Sequence, residues 1–207
     1  CNNIEWAFKV WREQPWGKNV SFETFCDYIL PYRQENGLLV DSARQVFYSR
    51  HQGQFFTNPG KNMIEEADSL LRLYSYIGHS GFHATGIPIW DVATLEKLRH
   101  GLCTHKCWHN TLLFSSLGIA VATDIVPAWA NRGSSHSWSV LIEEGDIHPF
   151  NPFWEQGLWQ YKRLYNNMDY HKYWGRFRLP KVFRKTYRYY MEGPLADGVP
   201  AKDIPEA

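Results

Sequence analysis

The sequence predicts an α+β fold with a helical N-terminal half. Three observations carry that prediction. Apolar residues recur at helical spacing through the first hundred residues, and this spacing gives way to β-rich runs after Gly118. The turn Glu143-Glu144-Gly145-Asp146 then joins two of those runs as a hairpin. At 207 residues the chain suits one large domain and can bury a real core. The expected organisation is one domain over 1–190: a helical part (1–100), a core (101–160) and a basic, aromatic segment (161–190). Residues 191–207 read as a linker or the start of a further region.

Ile4, Ala7, Phe8 and Trp11 share one helical face, and that helix should end before Pro15-Trp16-Gly17. Ser21 is placed to cap a second helix running to Leu30 and stopped by Pro31. Cys26 should lie on its apolar face with Phe22, Phe25 and Ile29, as a small buried hydrophobe. Helices over Asp41–His51 and Lys61–Ile77 follow, the latter with Ile64, Ala67, Leu71 and Tyr74 in one stripe. His79 to Trp90 reads as a Gly-rich loop, and Asp91 as the N-cap of a short helix bearing Leu95 and Leu98. Gly101-Leu102-Cys103 heads a helix that runs to Leu117 and stops at Gly118.

Beyond it, Ile119 to Val126 is β-rich, and His136 to Ile142 alternates with His136, Trp138, Val140 and Ile142 on one face. Closing the hairpin at the turn sets Ile142 opposite Ile147. That register carries Asn151 to the level of Trp138, diagonal to His136.

Charge is unevenly spread. Residues 1–160 carry twelve Lys/Arg against sixteen Asp/Glu, a net of −4, and residues 161–190 carry nine bases and one acid, a net of +8. The tail adds −3. The basic stretch, interleaved with Tyr and Trp, has the composition of a surface for nucleic acid or another anionic polymer. The plainer expectation is that its bases cover the acidic body, since no nucleic-acid motif accompanies it. No run of about 18 apolar residues exists, so no transmembrane helix is expected.

The four cysteines, Cys1, Cys26, Cys103 and Cys107, are too scattered for a disulfide framework. Cys1 matches the first residue of a mature bacterial lipoprotein, and with it a cell-envelope or secreted location. Against lipidation, the helix from Ile4 leaves almost no tether.

Cys103-x-His105-x-Cys107-x-His109 invites a zinc reading. On a helix, however, residues four apart share a face and residues two apart do not. Cys103 and Cys107 therefore face one way, with His105 and His109 on the opposite, solvent or interface side. One ion cannot collect all four, so no metal or other cofactor is expected.

A thiol nucleophile accounts for the same residues better. A helix N-terminus favours thiolate over thiol and offers unpaired N–H groups to an oxyanion. His136 would act as general base and then general acid, with Asn151 orienting it. A Cys at a helix start is usually inert, and His-x-Trp on a strand is usually packing; their joint order and spacing favour chemistry. Cys107 should be a small buried side chain one turn below Cys103.

The stretch from Gly101 to Phe153 resembles the core of the transglutaminase-like superfamily. That family shows Gly-x-Cys opening a helix, Leu-Gly-Ile-Pro-Ala at the helix end, then a His-Ala-Trp strand and a Phe-Asp-Pro strand. Here these read Gly101-Leu102-Cys103, Leu117-Gly118-Ile119-Ala120, His136-Ser137-Trp138 and Phe150-Asn151-Pro152, covering about a quarter of the chain. The resemblance implies a Cys103, His136, Asn151 triad on a papain-like scaffold, with a central helix against an antiparallel sheet. Asn151 stands where the family has Asp, and Ala120 where it has Pro. Asn can still accept the His N–H through its carbonyl oxygen, as in papain-like proteases. Asp124 or Asp146 is an alternative third member, and Trp90, Trp129 or Trp138 an alternative indole donor to the oxyanion.

The function so implied is thiol-dependent transfer or cleavage of an amide bond in a peptide, protein or glycopeptide. Hydrolysis is favoured over transamidation. The alternative is an inactive domain of the same fold that binds carbohydrate or peptide.

Overall fold

The computed structural model describes residues 2–35, 37–39, 42–80, 88–128, 135–159 and 181–187. The helical spacing of the first half becomes α1 (Asn2–Glu13), α2 (Phe22–Thr24), α3 (Ala43–His51), α4 (Met63–Arg72) and α5 (Val92–Leu98). The central helix α6 spans Cys103–Ser115.

Two of the expected caps form: Ser21 accepts from Thr24 N–H, and Asp91 Oδ1 accepts from Thr94 N–H at 2.6 Å. The second helix departs from expectation after one turn. Phe25–Ile29 widens into a π-helix, with Leu30 N–H reaching back to Phe25 C=O at 2.8 Å. The wider turn rotates the face that spacing alone had assigned. Phe25 and Ile29 are fully buried, whereas Cys26 is half-buried and Phe22 is exposed. Helix α4 is shorter than its apolar spacing suggested. It is capped by Asn62 and ends in turns through Ile77; of the expected stripe Ala67, Leu71 and Tyr74 are buried and Ile64 only half-buried, with Met63 and Leu70 joining the buried face.

Strand β1 (Gly78–His79) pairs in parallel with β2 (His100–Gly101), so the expected loop from His79 begins as a strand. The main sheet holds β3 (Val121–Val126), β4 (His136–Glu143), β5 (Asp146–Phe150) and β6 (Phe183–Arg184), in the antiparallel order β5-β4-β3-β6. The hairpin register is the expected one, with Ile142 opposite Ile147 and Ser139 opposite Phe150. Its turn tightens to Glu144-Gly145, and Gly145 takes a φ of +90°, which a glycine adopts without strain.

Alternation on β4 divides the sheet into two faces. Ser137, Ser139 and Leu141 are buried on the face that receives α6, while His136 and Trp138 are half-buried on the other. Small serines on that face let the helix approach closely. Its far side packs on α3 and the turns after α4 through Phe47 and Tyr74, so residues Lys106 to Ser115 are all buried. At the helix end, Gly118 (φ +81°) lies against Gly17, and a Cβ on Gly118 would stand 3.2 Å from the Gly17 Cα. This contact seats the end of α6 against the turn after α1.

Of the basic segment, only residues 181–187 lie among those described, and there Arg184 and Lys185 answer acidic-body groups while Lys181 lies over the Phe183 ring. Arg184 donates to both carboxylate oxygens of Asp124, at 2.8 and 3.0 Å, and Lys185 Nζ bonds Glu35 at 3.0 Å and the Gln34 carbonyl. Cys1, the rest of the basic segment and the acidic tail fall outside the described residues.

Asp124 is nearly buried beneath Arg184. Asp124→Ala should therefore destabilise the chain by about 2 kcal/mol, through a half-buried guanidinium left without its partner. Urea denaturation followed by Trp fluorescence measures it; a loss below about 0.5 kcal/mol would show that β6 is not anchored by this pair. Among the described residues, no helix is long and apolar enough to cross a membrane.

Candidate functional site

Cys103 is the first residue of α6, and the residue before it breaks a local rule. Leu102 occupies the N-cap, where Ser, Thr, Asp or Asn would normally accept from the first turn. Its side chain has no acceptor. Only half of a reciprocal cap exists: the Leu102 N–H donates to His105 Nδ1 at 3.1 Å. The first N–H groups of α6 are thus left uncapped by any side chain, in the half-buried surroundings of Cys103. Gly101 is required at the entry, since a Cβ there would meet Leu95 Cδ1 at 2.8 Å and His105 at 3.2 Å.

The direction of α6 on the sheet follows from its contacts. Asn110 Nδ2 donates to the Pro152 carbonyl at 2.9 Å and to Ser139 Oγ at 3.3 Å, and the Cys107 thiol also bonds Ser139. One turn earlier, Thr104 and Ser137 line the same small cavity of about 10 Å³. Helix and strand therefore run the same way, which sets Cys103 and His136 at one common end.

His136, opposite Val126, is half-buried. Burial, reinforced electrostatically by His79, holds its pKa below the ordinary imidazole value, so the ring is neutral near pH 7, the form that can accept a proton. His79 stands opposite Gly101 across the β1–β2 pair, and its ring meets Phe153 edge-on at 5.4 Å. Sequence reasoning missed His79, because only a long-range pairing places it two residues from Cys103 in register.

Cys107 is 1% exposed. Burial pushes its thiol far up, and the nearby Cys103 adds to this against the Ser139 bond and the charges of Lys106 and Lys185. It is a protonated core thiol, as expected.

Asn151 follows the last ladder pair, and continuing the register puts it opposite Trp138. Its Oδ1 accepts from Phe153 N–H at 3.2 Å and its Nδ2 donates to Glu155 at 3.3 Å, an Asx turn. An amide oxygen has two lone pairs, so one acceptor position remains for a His N–H. Of the alternatives, Asp124 is engaged by Arg184, and Asp146 sits exposed at the hairpin turn. Trp138 lies tilted against His136 at 6.1 Å, Trp90 is half exposed, and Trp129 lies outside the described residues.

The expectation that His105 and His109 face solvent or an interface is corrected. His105 is half-buried at the helix start, and His109 is fully buried between Phe47 and Tyr74, because α6 is covered on both sides. Beside His109, the fully buried Lys106 Nζ lies 3.2 Å from its Nδ1, and Glu96 lies 3.5 Å from its Nε2. Burial pushes Lys106 down to about 7 and His109 to about 4. Among the described residues, no group of three or more His, Cys, Asp or Glu is placed to hold a metal.

No family model, curated protein or solved structure matches the chain.

Proposed function

We propose that this chain is a thiol-dependent acyl-transfer enzyme built on a papain-like, transglutaminase-like core. Cys103 is the nucleophile, His136 the proton carrier and Asn151 the group that orients it. The observation that carries the reading is the shared end of α6 and β4: an uncapped helix start bearing a half-buried thiol lies at the end of the sheet where β4 begins with His136, a neutral imidazole.

In the reaction, the Cys103 sulfur adds to an amide carbonyl carbon and its proton passes to His136. The carbonyl electron pair moves onto oxygen. Collapse of that oxyanion expels the amine, which takes the proton from His136 and leaves a thioester on Cys103. Water, activated by His136, then releases the acid and restores the thiol. An amine in place of water gives transamidation; hydrolysis is favoured because no acceptor pocket is recognisable among the described residues. The substrate class is a peptide, protein or glycopeptide.

A second reading, a binding module with a silent site, is favoured by one observation. The Asn151 amide is already engaged at both ends by Phe153 and Glu155.

Alkylation kinetics separate the two. Iodoacetamide should label Cys103 rapidly at about pH 6–7, well below the ordinary thiol pKa of about 8.5. His136→Ala should slow that labelling by about tenfold or more. Labelling that follows an ordinary thiol titration in both proteins would sink the enzyme reading.

A further inference from the structure

We propose that His79 is the second oxyanion donor of this site, completing with its imidazole N–H the hole that the head of α6 begins. The inference rests on the thiol-enzyme reading above. A tetrahedral oxyanion needs donors from more than one direction, and α6 supplies them from one side only.

The backbone around His79 is fixed to the segment that leads into Cys103. Gly78 N–H donates to the Arg99 carbonyl at 2.8 Å, Ser80 N–H donates to the Gly101 carbonyl at 3.1 Å, and His79 itself stands opposite Gly101. Its exposed ring rests edge-on against Phe153, whose N–H is held by Asn151. The residue is thus braced between the chain entering the nucleophile helix and the chain leaving the hairpin. Its influence on His136 places it within electrostatic reach of the proposed base. Among the described residues, no hydrogen bond occupies either ring nitrogen. An imidazole carries at least one N–H whichever way it is protonated. When Cys103 attacks, the carbonyl π pair becomes an alkoxide lone pair, and that oxygen accepts from the His79 N–H without any proton changing hands.

Two reagents isolate this role in the full chain. Alkylation of Cys103 by iodoacetamide passes through no oxyanion, whereas acylation by p-nitrophenyl acetate does, with nitrophenolate leaving as the thioester forms. His79→Phe, which keeps the ring contact with Phe153, should slow acylation about 100-fold and change alkylation about tenfold less than that, through its effect on His136 alone. His79→Gln, which keeps an N–H donor, should recover most of the acylation rate. The assignment is overturned if His79→Phe acylates at the parent rate, or if it loses alkylation in the same proportion, which would make His79 the base. A parent chain whose Cys103 takes neither reagent faster than a free thiol overturns the thiol reading itself. That failure is visible before any His79 variant is compared.

Discussion

Cys103→Ala is expected to remove all acyl transfer and all rapid alkylation, while Cys107→Ala leaves both close to the parent. The contrast follows from two sulfurs one helical turn apart in opposite circumstances. Cys103 is half-buried at an uncapped helix start, whereas Cys107 is 1% exposed, bonded to Ser139 and held protonated by burial. Loss of an activated nucleophile typically removes several orders of magnitude in rate. Mass spectrometry of singly labelled protein, with nitrophenyl ester turnover, checks both halves. Label found on Cys107 would invert the assignment, and undiminished turnover by Cys103→Ala would end it. Cys107→Ala should cost only about 1 kcal/mol of stability, because one sulfur is lost from a packed helix face.

Acidification should destabilise the fold steeply between about pH 6.5 and 4. His109 is 0% exposed, and burial followed by the Lys106 charge drives it to about 4, although Glu96 pulls the other way. His51 is also buried and reaches about 4 through burial and then Arg50, its Nε2 sharing a 2.6 Å hydrogen bond with Tyr74 OH. On unfolding, both return toward the ordinary value of about 6.5. Between those limits the unfolded chain binds more protons than the folded one, so stability falls as pH falls. Each imidazole contributes at most about 3 kcal/mol to that loss.

Lys106 acts on the alkaline side. With a folded value of about 7, it makes stability rise as pH climbs from there toward the ordinary lysine range near 10.4. Urea denaturation at pH 7, 5.5 and 4.5 tests the acid limb. His109→Leu should reduce its slope by roughly half. Glu96, which burial alone would raise, is instead held below the usual carboxylate range by His109 and Arg50, so its own loss falls at lower pH and does not mimic the effect. Equal slopes in parent and His109→Leu would show that the buried imidazole is not the titrating group.

This buried polar cluster marks the limit of sequence reading. Periodicity identified α6 as a helix and separated its cysteine face from its histidine face. Whether the histidine face met water or protein depended on α3 and the turns after α4 closing over it, through Phe47 and Tyr74, residues distant in the chain from His109. The π-turn at Phe25–Ile29 was invisible for a related reason: one extra residue in a turn leaves composition unchanged and rotates every face that follows.

The hairpin shows the opposite case. Its register is set locally by the turn and the strand alternation, so the pairing of Ile142 with Ile147 and the level of Asn151 were legible in advance. The engagement of Asn151 by Phe153 and Glu155 was equally local, an Asx turn written in Asn-Pro-Phe-Trp-Glu, but its meaning depends on what faces it.

By itself, then, the sequence determined what short-range physics controls: an α+β chain, the Ser21 and Asp91 caps, the helix start at Cys103, the stop at Gly118 and the hairpin register. Tertiary structure alone decided that α6 is enclosed on both sides, that Lys106 and His109 are buried, and that β6 closes the sheet through Arg184 and Asp124. It also brought His79 to Gly101, beside the head of the helix. The physical reason is the same throughout. Caps and turns are settled by neighbours a few residues apart, whereas burial and parallel strand pairing join segments whose separation carries no local signal.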